Sequence, residues 1–362
     1  MNSLTVENIA LATALWIGFV GGLFVLRKVV PGAMHRGQLL RDGTRKTYKL
    51  NAFYILLLVC ALLVGGQATH AFSLRTVHRL FWPLFVVGNA LAILESAWLF
   101  VRGRRARRAR GDELKSGLHD FWFGAELNPD LWGVDLKMFA YVPSLIGLLV
   151  LNLSFAVAQW ETLGHLTTRM ILYEAFFTIY VFNYFQFEYG MLHTWDVIAE
   201  NFGFMLVWGD APFVPFFYSI GGWFVLGNTA PMPSYEAAAL CLLFAVGLWV
   251  FRGTNQQKHQ YKENPAAPIW GRAPETVGGK LLVSGFWGIG RKLNYTGELM
   301  VYFSWTFCTG TGSIVPYLLP LWLVCLFSHR AWRDEQRCHQ KYGALWEEYC
   351  RRARFRMIPF LY

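Results

Sequence analysis

The sequence predicts an all-α, polytopic transmembrane protein of about nine to ten spans, and three observations carry that expectation. Apolar residues fill 55% of the 362 positions and charged ones only 15%, with a mean hydropathy of +0.32, more apolar surface than a soluble core of this length can hide. The apolar residues are gathered into long runs, and a hydrocarbon core of roughly 30 Å takes about 20 residues of helix to cross. Lys and Arg crowd some of the connecting loops and are sparse in others, the asymmetry that orients membrane helices.

The first run, Ile9 to Leu26, ends at Arg27 and Lys28 rather than at a small-residue cleavage site, and its amino-terminal side lacks Lys and Arg. It reads as a retained span, not a signal peptide. Further runs cover Ala52 to Ala68, Leu80 to Val101, Met138 to Val157, Met170 to Phe187, Phe202 to Leu226 and Tyr235 to Phe251. Leu299 to Phe307 is short and is closed by the turn-prone Thr309-Gly310-Thr311-Gly312, which makes a hairpin with Ile314 to Phe327. A tenth span is expected within Lys280 to Gly290.

Basic residues crowd Arg27 to Lys49 and Arg102 to Lys115 but thin to Arg75 and Arg79 between them. That alternation places the first and third loops in the cytoplasm. Carried forward, it puts Glu188 to Asn201, Arg252 to Lys280 and the tail from His329 on the same side, with Asn228 to Ser234 outside. The arginines from Arg102 to Arg110 read as a topology and headgroup anchor. The net charge of +10 is confined to loops, so membrane orientation accounts for it and nucleic acid is not expected as a partner. The six cysteines are scattered without a CxxC pair, so neither a disulfide framework nor a zinc site is expected. No HExxH occurs, and His165 and His193 fall on opposite sides of the membrane, which argues against a metal or heme site.

Three polar clusters can carry chemistry. In Arg252 to Lys262, helical spacing puts Asn255, Lys258 and Lys262 on one face. Two cations four residues apart repel unless an anion such as a phosphate lies between them; the alternative reading is an interfacial snorkelling anchor. In Ser284 to Glu298, Gly288 and Gly290 lack the third glycine of a dinucleotide loop and no βαβ pattern surrounds them, so a Rossmann site is excluded. What remains presents Trp287, Arg291, Asn294 and Tyr295, a flat, hydrogen-bonding and cationic set that suits a nucleotide. In the tail, Arg330, Arg333 and Asp334 share a helical face that Arg337 extends, followed by the aromatic segment Tyr342 to Tyr349. Glu174, Asn183, Glu188, Asp196 and Asp210 lie in or beside apolar runs, where a buried carboxylate needs a partner or a task.

Taken in order, these clusters resemble the membrane sterol reductase family, which includes the C14, Δ7 and C24(28) sterol reductases and the carboxyl-terminal half of the lamin B receptor. The likeness runs from Phe121 to Tyr362 through Gly124-Ala125-Glu126-Leu127-Asn128-Pro129, Asp135 to Phe139, Thr194-Trp195-Asp196, Phe202 to Leu206, Gly209-Asp210, Pro215-Phe216, the three clusters and Ile358-Pro359. It implies an amino-terminal helical region over 1–120, a catalytic region over 121–362 with its NADPH-binding part over about 252–362, and a sterol arriving from the bilayer. It places NADPH contacts on Lys258, Lys262, Trp287, Asn294, Tyr295, Arg330, Asp334, Tyr342 and Tyr349. An isolated alkene is too electron-rich to take hydride directly, so an acid must protonate it first. Tyr180, in a segment like the family's Leu-Tyr-Val-Val-Asp pattern, leads as donor because a phenol is cheaper to bury than a charge; Glu188 and Asp334 are the other donors or relays.

Ile269 to Pro274 and Leu281 to Gly288 look most like Δ7 reductases, whereas Gln159 to Gly164 with Thr194-Trp195-Asp196 is similar to C24(28) reductases. Δ7 is therefore the expected double bond, with C24(28) or C14 as alternatives. The chain departs from the family pattern at Lys292, usually His, Glu298, usually Asp, and Asp130, usually Arg. Its carboxyl-terminal third is also similar to isoprenylcysteine methyltransferases, but such an enzyme would not explain Glu126 to Pro129 or Arg252 to Lys262. A non-enzymatic sterol receptor is the other rival; it would carry a soluble amino-terminal domain, and here the first run begins at Ile9. Location in the endoplasmic reticulum or a bacterial inner membrane, and the oligomeric state, are left open.

Overall fold

The computed structural model describes residues 4–362, which divide into two compact units: the described residues up to Leu166 with Phe177–Leu226, and Thr167–Phe176 with Gly227–Tyr362. Helices dominate both, as expected. Strands are limited, among the described residues, to three antiparallel two-stranded hairpins.

In the first unit, α1 (Val6–Val29) starts at Thr5, whose hydroxyl accepts from the Asn8 amide at 3.2 Å, and it ends on Arg27 and Lys28. Cap and charges both complement the helix dipole. A hairpin of β1 (Ala33–Arg36) and β2 (Thr47–Leu50), registered Ala33 to Leu50, leads into α2 (Ala52–Ala68). The short α3 (Arg75–Arg79) precedes α4 (Phe81–Arg110), which Gly111 closes in the left-handed conformation. The arginines at its end are more than a headgroup anchor: Arg104 and Arg107 lie 3.4 and 3.6 Å from the buried Asp120 carboxylate of α5 (Gly117–Phe123). The hairpin of β3 (Asp130–Leu131) and β4 (Val134–Asp135) ends in Asp135, which caps α6 (Leu136–Leu163) by accepting from the Met138 amide at 3.0 Å and takes an ion pair from Lys46 at 2.9 Å.

α7 (Thr168–Gln186) contributes its first residues to the second unit and the rest to the first. A 3₁₀ turn (Glu188–His193) and α8 (Trp195–Ile198) follow. The run from Phe202 to Leu226 is not one helix. It is divided into α9 (Phe204–Trp208), a π-helical segment Gly209–Phe217 and α10 (Ile220–Gly227). Pro212 and Pro215 lie inside the π segment, and each lacks the N–H that would close an α-helical bond, so the ladder slips to the wider spacing.

The second unit is built on α11 (Ser234–Glu263), whose apolar first half continues into the polar Arg252 to Lys262, and on α13 (Leu293–Phe307) packed against it. Gly247 and Gly297 allow the close approach: a β-carbon on Gly297 would come within 2.7 Å of the Gly247 carbonyl oxygen. Between them lie the hairpin of β5 (Thr276–Val277) and β6 (Leu281–Leu282) and the single turn α12 (Phe286–Ile289). The tenth span expected within Lys280 to Gly290 is therefore absent; the Ser284-Gly285 and Gly288 to Gly290 stretches break it into a strand and one helical turn. α14 (Leu318–Tyr342) and α15 (Ala344–Arg352) complete the chain. At the opposite end of this unit, Arg169 holds Glu236 through two bonds at 3.1 and 3.3 Å and also donates to the Ala230 and Cys308 carbonyls.

The expectation of about nine to ten spans is met in part. Among the described residues, four helices (α1, α4, α6 and α11) are long and apolar enough to cross a membrane, and α2 is a shorter apolar one. Other runs form helices, but proline and polar residues shorten or divide them.

Candidate functional site

The polar end of α11 meets α12, α13 and α14 in the second unit. Three backbone and side-chain ties fix this corner. The Trp287 indole donates to the Thr254 carbonyl at 2.9 Å, the Phe286 amide donates to the Gln257 side-chain oxygen at 3.0 Å, and the Asn294 amide donates to the Asn255 side-chain oxygen at 3.3 Å. With the indole plane so held, the Lys258 side-chain nitrogen sits 4.4 Å from its centroid; burial and the Lys292 and Lys262 charges push its pKa down to about 7, so a bound anion would favour its charged form on the π face. Lys262 follows one turn on. Lys292 donates to the Asp334 carboxylate, and Arg337 approaches the other oxygen at 3.9 Å. Burial alone would raise the Asp334 carboxyl, but the Lys292, Lys258 and Arg337 charges together bring it below its ordinary value. Asp334 thus favours its ionised, accepting form beside these cations.

One polar atom in this corner is orphaned. The Asn294 side-chain oxygen is buried without a hydrogen-bond partner, a costly state unless something completes it. A lysine over a flat indole, amides on neighbouring helices and an unsatisfied acceptor are groups that a phosphorylated, ring-bearing cofactor needs.

Arg291 does not belong to this face, contrary to its place in the sequence cluster. It is buried, donates twice to Glu335 at 2.6 and 3.0 Å and reaches the Ala353 and Arg354 carbonyls. It is a latch that joins the start of α13 to the tail, with Arg356 closing on Glu335 from the other side at 2.6 Å. Tyr295 stacks on Phe327 with centroids 4.8 Å apart. Tyr349 and Trp346 are buried with Val277, Val283 and Ala353, while Tyr342 packs at the edge of that cluster. The aromatic tail therefore forms a small core with the β5–β6 hairpin.

Similarity to known proteins decides which family this arrangement belongs to. Residues 5–362 match the model of the ergosterol biosynthesis ERG4/ERG24 family. A Delta(14)-sterol reductase of Arabidopsis thaliana is 40% identical over 354 residues, covering 94% of this chain and 93% of that protein. The Delta(14)-sterol reductase TM7SF2 of Mus musculus is 36% identical, covering 96% and 84%, and a Delta(14)-sterol reductase of Methylotuvimicrobium alcaliphilum is 32% identical, covering 97% and 83%. The chain belongs to the ERG4/ERG24 family. The resemblance to membrane sterol reductases is borne out, and with it the reading of the chain as an oxidoreductase. The preference for Δ7 receives no support, because these relatives are named for Δ14.

The second unit brings together Lys258, Lys262, Trp287, Asn294, Tyr295, Arg330 and Asp334; Tyr180 and Glu188 lie in the first unit. Tyr180 is buried in α7, with its ring centroid 6.0 Å from that of Tyr184. Glu188 is engaged on both oxygens: one accepts from Arg27 at 2.8 Å and the other from the Ala52 amide at 2.8 Å. It pins the start of α2 to the end of α1, with Asn51 completing the network. The family motif around Glu126 is likewise a clasp. Asn128 donates to the Val197 carbonyl at 3.0 Å and Asn201 to the Gly124 carbonyl at 2.9 Å, while Lys137 donates to the Asp196 and Glu200 carbonyls.

Two features escaped the sequence reading. Glu335 gave no signal apart from its charge. Glu95, a lone carboxylate inside the third apolar run, faces a cavity with Asp210, and its isolation among apolar neighbours was the signal.

Proposed function

We propose that this protein is an NADPH-dependent reductase of the C14 double bond of a sterol. The observation that carries the cofactor assignment is the corner at Lys258, Trp287, Asn294, Lys292 and Asp334, with its fixed indole, its cations and its orphaned amide oxygen. The relatives' Δ14 names support the choice of double bond over Δ7.

NADPH, when bound, supplies the hydride. Lys258 and Lys262 would bind its phosphates, Trp287 would give its rings a flat wall, and Asn294 would gain the donor it lacks. Asp334 orients Lys292 through their ion pair. The proton must come from elsewhere, because Asp334 is held ionised and both oxygens of Glu188 are occupied by structural partners. Tyr180 is the remaining candidate, a neutral O–H that can be buried without the cost of a charge. The membrane, expected to place this corner on the cytoplasmic side, lets a soluble cofactor meet a lipid-dissolved substrate.

Purified protein with NADPH is tested against Δ14, Δ7 and 24-methylene sterols, with products read by mass spectrometry. Loss of the Δ14 alkene alone is expected. Conversion of only the Δ7 or 24-methylene sterol would overturn the specificity, and conversion of none would overturn the reductase reading.

A further inference from the structure

The first unit encloses an elongated cavity of about 590 Å³, within the range of ligand pockets. Its walls come from α1, α4, α6 and the π segment, and they are almost wholly apolar and rich in flat rings, among them Trp16, Phe139 and Phe216. On α4 it runs from Leu84 to Trp98, a length of about 21 Å at 1.5 Å per residue. That exceeds one leaflet of roughly 15 Å.

Among the described residues, the carboxylates in the wall are Glu95 and Asp210, which lie towards one end. Glu95 is one turn before Trp98. Asp210 opens the π segment and is within electrostatic range of Glu95 and of Lys137 at the start of α6. This is the end of α4 that leads into the arginine run, the side assigned by loop charge to the cytoplasm. Carboxylates at this depth are expensive unless they have a task. The π segment is what turns Asp210, Pro215 and Phe216 into one wall, and such segments recur at functional sites. Leu15, Trp98 and Trp132 line the cavity and are also exposed, so it communicates with the surroundings of the helices.

We infer that this cavity is a sterol site, with the fused rings between its aromatic walls and the sterol hydroxyl donating to the Glu95 and Asp210 pair. The choice of sterol within the class of lipids rests on the reductase reading above; the shape and polarity do not. The lining residues include no Lys, Arg or His to pair the phosphate of a phospholipid or the carboxylate of a fatty acid, and such an anion is costly to bury unpaired. A neutral hydroxyl on a rigid, elongated body meets both requirements. None of the proposed nucleotide contacts is among the residues that line this cavity.

The test is photolabelling of the full chain in nanodiscs with a diazirine sterol bearing an alkyne handle, followed by peptide mapping, with sterol turnover measured in parallel. Labels are expected on α1, α4 and the π segment. Unlabelled sterol should compete, and a 3-keto analogue, which lacks the donor, should compete about fivefold less well, the worth of one hydrogen bond. Gly147→Phe and Ala211→Phe fill the cavity and should cut labelling at least about tenfold. Gly147→Ala should label as the parent does, because its new carbon meets nothing nearer than 3.7 Å. Labelling that survives both filling variants, or that phosphatidylcholine displaces as well as sterol does, overturns the proposal. Turnover without labels here would sink this site alone, whereas labels here without turnover would sink the reductase reading and leave the site standing.

Discussion

Arg291 and Lys258 sit in neighbouring cationic clusters of the sequence, yet the structure gives them different partners, Glu335 and the Trp287 ring, and replacing Arg291 with Met separates the latch from the proposed cofactor contact. The substitution removes two bonds to Glu335, at 2.6 and 3.0 Å, and the bonds to the Ala353 and Arg354 carbonyls. Breaking a buried ion pair costs about 3–5 kcal/mol because the partner is left charged and desolvated. Arg356 stays on Glu335 at 2.6 Å, which argues for the lower end, about 3 kcal/mol. In a chain of this size that lowers the unfolding temperature by roughly 5 °C. Thermal unfolding of detergent-purified protein, followed by tryptophan fluorescence, reads the loss. NADPH titration well below the transition should give an affinity within about threefold of the parent. An unchanged unfolding temperature with an affinity reduced about tenfold or more would refute the reasoning and make Arg291 a ligand residue.

Lys258→Ala should show the reverse: NADPH KM higher by about tenfold, the worth of one charge-assisted bond, with kcat little changed; equal kinetics would remove the cofactor assignment. Tyr180→Phe should lower kcat by about 10²–10⁴-fold while NADPH affinity holds, and a kcat near that of the parent would dismiss the phenol as donor. Asp334 has a depressed folded pKa, so its contribution is fully present above the unfolded value and is lost as pH falls through the folded one. The stability gap between the parent and Asp334→Asn, measured by unfolding, should therefore be constant from pH 8 to about 5 and shrink only near 4 and below; a gap closing near pH 6 would contradict the ionised state. Gly297→Leu should destabilise the α11 and α13 contact, because its β-carbon would come within 2.7 Å of the Gly247 oxygen, and a parent-like unfolding temperature would show that the helices can separate without cost.

Composition and run length alone determined that the chain is helical and lives in a bilayer, since both follow from the solvent in which each residue must be buried. The order of short motifs determined the family, because Gly124 to Pro129, Thr194 to Asp196 and the carboxyl-terminal clusters keep their sequence whatever their contacts. Spacing also put Asn255, Lys258 and Lys262 on one face, as three to four residues per turn requires. What spacing could not decide is which partner each charge finds. Only the tertiary structure showed that Arg291 closes on Glu335, 44 positions away, while Lys292, an apparent departure from the family pattern, meets Asp334. Glu188 likewise looked like a stranded acid until Arg27, 161 positions distant, was found on it. The division of Phe202 to Leu226 by a π segment, and the cavity that this segment lines with Glu95 and Asp210, were equally invisible. Local pattern records what a residue needs from its surroundings, and packing between elements distant in sequence decides what supplies it.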